Sequence, residues 1–136
     1  IYTEAHALLD RLRLSPLAHT PVTELAYGKQ RLLEIALALA AKPRILLLDE
    51  PAAGIPAGES SELFEVIAEL PADISVLFIE HDMNLVFRFA RRISVLVAGE
   101  ILTEGTPREI STDPRVRDVY LGHRTNKMAQ GAATDA

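Results

Sequence analysis

The sequence predicts an α/β fold, a mainly parallel sheet with helices on its faces, from three observations. Two short apolar runs, Ile45 to Leu48 and Ser75 to Ile79, have the length and composition of buried strands. Segments with leucine and alanine at helical spacing lie before, between and after them. Both runs end in polar groups fit for chemistry, Asp49-Glu50 and Glu80-His81-Asp82. In such folds helices cover the sheet and ligands bind at the carboxyl ends of strands.

The elements follow in order. Glu4 to Leu14 has the spacing of an amphipathic helix, ended by Ser15-Pro16. A loop runs to about Leu25. Gly28 to Ala41 is a second helix, with polar residues at its start and almost none after Glu34, so it should be buried nearly all round. Lys42-Pro43-Arg44 breaks it before the first strand, which should be buried on both faces. Pro56 and Gly58 mark a turn ahead of a helix from about Glu59 to Leu70, stopped by Pro71. After the second strand, Asp82 can cap a helix from Met83 to about Arg91. Ile93 to Val97 and Ile101 to Glu104 read as a hairpin across Ala98-Gly99-Glu100. Thr106-Pro107-Arg108-Glu109 is a capping box with proline at the first helical position. Asp113-Pro114 opens a short helix toward Leu121, and beyond Gly122 a polar, small-residue tail is expected to be disordered. The ordered domain is thus expected over 1–122 and the tail over 123–136.

Composition narrows the function classes. The 136 residues are 49% hydrophobic, enough for a core, and carry a net charge of −5. That balance argues against a nucleic-acid partner, which calls for a basic patch. The absence of cysteine removes disulfides and thiolate metal sites and fits a cytoplasmic setting. The longest apolar stretch, Ile35 to Ala41, is far short of the ~20 residues of a spanning helix. The chain opens on Ile1 and has no signal segment, and the expectation is of a fragment of a longer protein.

Three groups could carry chemistry. A carboxylate at the exit of a buried strand can hold Mg²⁺, usually through water, while its neighbour polarises an attacking water; Asp49 and Glu50 are so placed, unless they are only an acidic turn. His81 could bond a phosphate oxygen, or be a surface histidine in a capping turn. Leu25-Ala26-Tyr27-Gly28-Lys29-Gln30 precedes the second helix, whose free amides and dipole favour an anion that Gly28 lets approach closely. Lys29 and Arg31 are cations at the positive end of that helix, a mismatch relieved if something negative sits opposite.

Taken together, the order and spacing of these groups resemble the ATPases of ABC transporters over roughly residues 5 to 122. Leu25, Ala26, Tyr27, Gly28 and Gln30 look like the signature sequence, Ile45 to Glu50 like the Walker B strand with its catalytic glutamate, Pro51-Ala52-Ala53-Gly54 like the D-loop, and His81 like the switch histidine. The run Arg31 to Ala36, Glu80-His81-Asp82-Met83 and the closing Tyr120-Leu121-Gly122 resemble the branched-chain amino-acid importers. Related subunits serve urea and amides, and lipopolysaccharide exporters share part of the pattern. The resemblance implies a P-loop NTPase fragment with part of the helical subdomain at its N-terminus and a hairpin and short helices at its C-terminus. It implies ATP and Mg²⁺ as ligands, with Asp49 organising the metal, Glu50 and His81 catalytic, and the signature and Gly54 meeting ATP held by a second ATPase subunit. It also implies membrane permease subunits as partners, no nucleic acid, and a peripheral position on the cytoplasmic face of the membrane.

Two departures stand out. The sequence has no G-x-x-x-x-G-K-[ST] phosphate loop, so the chain by itself is expected neither to bind ATP tightly nor to hydrolyse it. Ala26 stands where the family usually has serine, and losing a hydrogen bond to a charged group costs about 1.5–3 kcal/mol.

Overall fold

The computed structural model describes residues 2–119. Its elements are α1 (Tyr2–Arg11), α2 (Tyr27–Ala40), β1 (Ile45–Asp49), α3 (Ala57–Ala68), β2 (Ser75–Ile79), α4 (Met83–Phe89), β3 (Ile93–Val97), β4 (Glu100–Gly105) and α5 (Pro107–Thr112), with short 3₁₀ turns at Ser15–Leu17 and Val22–Glu24. A further helical stretch covers 114–119. The elements form two compact units that divide between Leu85 and Val86. The expected tail at 123–136, and the end of the helix expected to reach Leu121, lie outside the described residues.

In the first unit α1 begins and ends earlier than its periodicity suggests. Leu14 N–H donates to Leu9 O at 2.8 Å and Arg13 N–H to Asp10 O at 3.0 Å. With Arg13 at φ 57°, this is the left-handed stop that usually takes glycine. The stop turns Leu12 and Leu14 inward, where they are 0% and 3% exposed. The Arg13 side chain stays outside and pairs with Glu69 at 2.6 Å.

The core gathers Leu12 and Leu14 with Leu32, Ile35, Ala36 and Leu39 of α2, Leu46 of β1, and Leu63, Val66 and Ile67 of α3. Leu48 and Val76 pack against it from the sheet. On α3, Phe64 is fully buried and meets Phe78 of β2 edge to face, with ring centroids 5.0 Å apart.

Strands β1 and β2 pair in parallel, Ile45 opposite Ser75 through Asp49 opposite Ile79, as the alternation of elements predicts. The expectation that β1 is buried on both faces is corrected. Leu46 is buried, but Ile45, Leu47, Leu77 and Ile79 are 60–69% exposed. Successive side chains alternate across the sheet, and the described helices cover only the face bearing Leu46 and Leu48. Helix α2 is likewise not buried all round: Leu37 is 69% exposed, and Ala38 and Ala40 lie beside it on the open side.

The second unit holds the antiparallel pair β3–β4, with a register irregularity between Val95 and Leu96. The connecting residues are two rather than three. Ala98 and Gly99 take φ 51° and 84°, the mirror-type turn whose twist matches that of the flanking strands. The capping box of α5 forms as predicted: Glu109 N–H donates to Thr106 Oγ1, and Thr106 N–H to Glu109 Oε2 at 2.7 Å. The Thr106 N–H and hydroxyl, both donating to the Glu109 carboxylate, hold it below its ordinary pKa. Thr106→Ala should lower stability by about 1 kcal/mol, read from the urea midpoint at constant slope.

Candidate functional site

The post-β1 turn is built around Glu50. Its N–H extends the parallel ladder by donating to Ile79 O at 2.9 Å, and its carbonyl accepts from Ala53 N–H at 3.0 Å. Between these bonds Glu50 sits at φ 43°. The left-handed region costs a side-chain-bearing residue roughly 1–2 kcal/mol, and Pro51 restricts the preceding backbone further. The strain is answered by the bonds on either side. A further bond fixes the turn, from Ala52 N–H to Glu80 Oε1 at 3.0 Å.

This backbone aims the Glu50 carboxylate at His81, with Oε1 3.4 Å from Nδ1. The two side chains are 50% and 76% exposed, and an ion pair in that setting contributes at most about 1 kcal/mol to stability. Their meeting matters more for what both can reach. Asp49 is exposed at the end of β1, on the open face of the sheet in line with Ile45 and Leu47. Asp82 caps α4 as expected, accepting from Asn84 N–H at 2.9 Å. His81 is therefore held between a strand end and a capped helix.

The stretch from Leu25 to Gln30 forms the start of α2. Ala26 is the N-cap residue and offers no side-chain cap. Gln30 Nε2 folds back to Leu25 O at 2.9 Å, closing the loop on itself. Tyr27 is partly exposed, and its hydroxyl accepts from Arg31 at 2.6 Å while the guanidinium also lies over the ring. Gly54, at φ +76°, lies against this ring: a Cβ there would be 3.5 Å from Tyr27 Cε1. The structure thus joins the 25–30 segment to the loop after β1. A cleft of about 200 Å³ lined by Arg31, Glu34, Leu48 and Asp49 among others runs along α2 and β1.

The negative groups opposite Lys29 and Arg31 are supplied by the chain itself. Lys29 pairs with Glu62 at 2.7 Å and Arg31 with Glu34 at 2.7 Å. Glu34 is also the chief cause that raises the Arg31 pKa above its ordinary value. The buried Gly28 N–H donates to Glu59 Oε2 at 3.2 Å, and a Cβ on Gly28 would stand 2.8 Å from that oxygen. An anion arriving at Gly28 competes with Glu59 for one N–H. Glu59, Glu62 and the Glu80 contact were not singled out in the sequence. The available signal was an acid pair three residues apart at the start of a helix, but nothing local says which cations it meets.

For Mg²⁺ the fit is partial in a specific sense. Among the described residues no group of three or more His, Asp or Glu side chains converges as a ready metal cage. A lone exposed carboxylate such as Asp49 suits Mg²⁺, which keeps most of its waters and takes further oxygens from a bound phosphate.

A family model described as ABC transporter matches residues 2–53, and one described as branched-chain amino acid ATP-binding cassette transporter matches residues 100–125. The chain is 47% identical over 116 residues to the high-affinity branched-chain amino acid transport ATP-binding protein LivG of Salmonella typhimurium, covering 84% of this chain and 46% of that one. It is 43% identical to the lipopolysaccharide export system ATP-binding protein LptB of Acidithiobacillus ferridurans, covering 85% and 48%. Among solved structures, MJ1267, an ATP-binding cassette of an ABC transporter, superposes with a TM-score of 0.78 at 32% identity, over 88% of this chain and 49% of that one. The chain spans about half the length of the curated relatives it matches.

Proposed function

We propose that the chain is part of an ATP-hydrolysing subunit of the ABC transporter family, with a reaction centre that includes Asp49, Glu50 and His81. One observation carries this reading: two adjacent parallel strands deliver Glu50 and His81 to within 3.4 Å of each other, with Asp49 next in the chain. A carboxylate and an imidazole in contact at that point can both hydrogen-bond one water lying beside them. Glu50 accepts the water's proton or orients its lone pair toward the γ-phosphorus, while His81 contacts a γ-phosphate oxygen. Asp49 would hold Mg²⁺, which when bound neutralises phosphate charge. The work of these side chains is positioning and electrostatics, since phosphoryl transfer asks little covalent chemistry of the protein.

In this reading the segment Leu25 to Gln30 faces ATP held by a second ATPase subunit, with Gly54 between the two sites. The assembly docks on permease subunits at the cytoplasmic face of the membrane, and the chain carries no nucleic-acid surface. The transported solute is a branched-chain or related amino acid, an assignment supported by the match over residues 100–125. A second reading, lipopolysaccharide export, draws on the 43% identity to LptB.

The test is ATP hydrolysis by the chain alone beside the same chain joined to a half that carries a phosphate loop. Hydrolysis is expected only from the joined protein. An inactive joined protein would overturn the catalytic reading in favour of a partner that lends its surface without chemistry of its own.

A further inference from the structure

We infer that Glu80 is a positioning residue for Glu50. The inference rests on the reading of Glu50 as the water-orienting group. The last register pair of the parallel sheet is Asp49 with Ile79, so Glu50 and Glu80 are the first residues beyond it on their two strands. The backbones do not continue the ladder in the same way. Glu50 N–H bonds Ile79 O, and the chain then turns through Pro51, which has no N–H to offer. The next available donor is Ala52 N–H, and it is taken by the Glu80 carboxylate at 3.0 Å.

That contact closes a small frame around Glu50. On one side the frame is the ladder bond to Ile79 O; on the other it is the turn bond from Ala53 N–H to Glu50 O. Glu80, the residue after β2, ties the middle of the turn back to the strand that carries Ile79, so the turn is anchored to that segment at both Glu50 N–H and Ala52 N–H. Glu50 occupies a left-handed backbone conformation before a proline, and such a conformation persists only where its surroundings over-determine it. Glu80 is half-buried, and its reach across the turn is what its length allows. His81 follows it directly, so one two-residue segment holds both the turn that aims Glu50 and the imidazole at which it aims.

Solution NMR of the chain tests this with the parent, Glu80→Gln, Glu80→Asp and Glu80→Ala. In the parent, the Ala52 amide is protected from exchange, and the three-bond HN–Hα coupling and Cα shift of Glu50 report the left-handed conformation. Glu80→Ala is expected to lose Ala52 protection by about tenfold or more and to move Glu50 out of that region. Glu80→Gln keeps an accepting oxygen at the same length and restores both signals, whereas Glu80→Asp keeps the charge but is too short and does not. If Glu80→Ala fails to fold, the contrast between the Gln and Asp variants decides. Retention of both signals without Glu80, or an Asp variant that matches the parent, overturns the inference. In a longer protein that hydrolyses ATP, Glu80→Ala should lower kcat about tenfold with KM for ATP unchanged. If Glu50→Gln in that protein leaves hydrolysis intact while the NMR contrasts hold, the role given to Glu50 falls and the positioning by Glu80 stands.

Discussion

Glu50→Gln, in a protein that joins this chain to a phosphate-loop half, is expected to cut ATP turnover by about 10²- to 10⁴-fold, the range for removing a positioned general base. The exchange is nearly isosteric and leaves the backbone frame in place. It removes the negative charge that faces His81 Nδ1 at 3.4 Å and the lone pair that would take the water's proton. Nucleotide binding should survive, because the phosphates are held by other groups. Single-turnover hydrolysis and ATP binding, measured together, separate the two effects. Turnover at the parent rate would remove Glu50 from the role proposed here.

Phe64→Ala carries the largest expected loss of stability. Phe64 is fully buried on α3, and its ring meets Phe78 at 5.0 Å and 72°. Truncating a buried phenylalanine costs about 3–5 kcal/mol, to which the lost edge-to-face contact contributes. Against a total folding free energy of about 5–15 kcal/mol for a domain, that is a large share. Urea denaturation should show a lower midpoint with an unchanged slope. A loss below about 1 kcal/mol would mean that the site collapses around the missing ring and that the α3–β2 contact is not central.

What could be read from sequence was local or periodic. The apolar run Ser75 to Ile79 became β2 with those bounds, and Ile93 to Val97 became β3, because each is a short run rich in β-branched and apolar residues that stops at polar or turn residues, Glu80 and Ala98-Gly99. The capping box at Thr106 was legible for the same reason: its donors and acceptors are three residues apart. The apolar run from Ile45 put Asp49 and Glu50 at a strand end, and the run from Ser75 put His81 just past the end of the neighbouring strand. What escaped was set by contacts distant in sequence. Glu59 and Glu62 reach Gly28 and Lys29 across 31 and 33 residues, and no window around either segment encodes that. The two-sided burial expected of β1 failed because a run of aliphatic residues states only that a face can be covered. Whether it is covered depends on neighbours in space. The left-handed Glu50 is likewise invisible locally, since it is imposed by bonds to Ile79 and Ala53 against the residue's own preference.

The open face of β1 and β2 governs how the chain behaves as a solute. Ile45, Leu47, Leu77 and Ile79 form one aliphatic surface at 60–69% exposure, on a described sheet of two strands whose outer edges have no described strand beside them. Two such molecules can lay these surfaces together or extend each other's sheet, and both encounters gain free energy. The net charge of −5 opposes the approach over a distance of about 10 Å or less, which salt shortens. Apolar association strengthens on warming, so low temperature and low ionic strength favour dispersed molecules, and heat and salt favour precipitation.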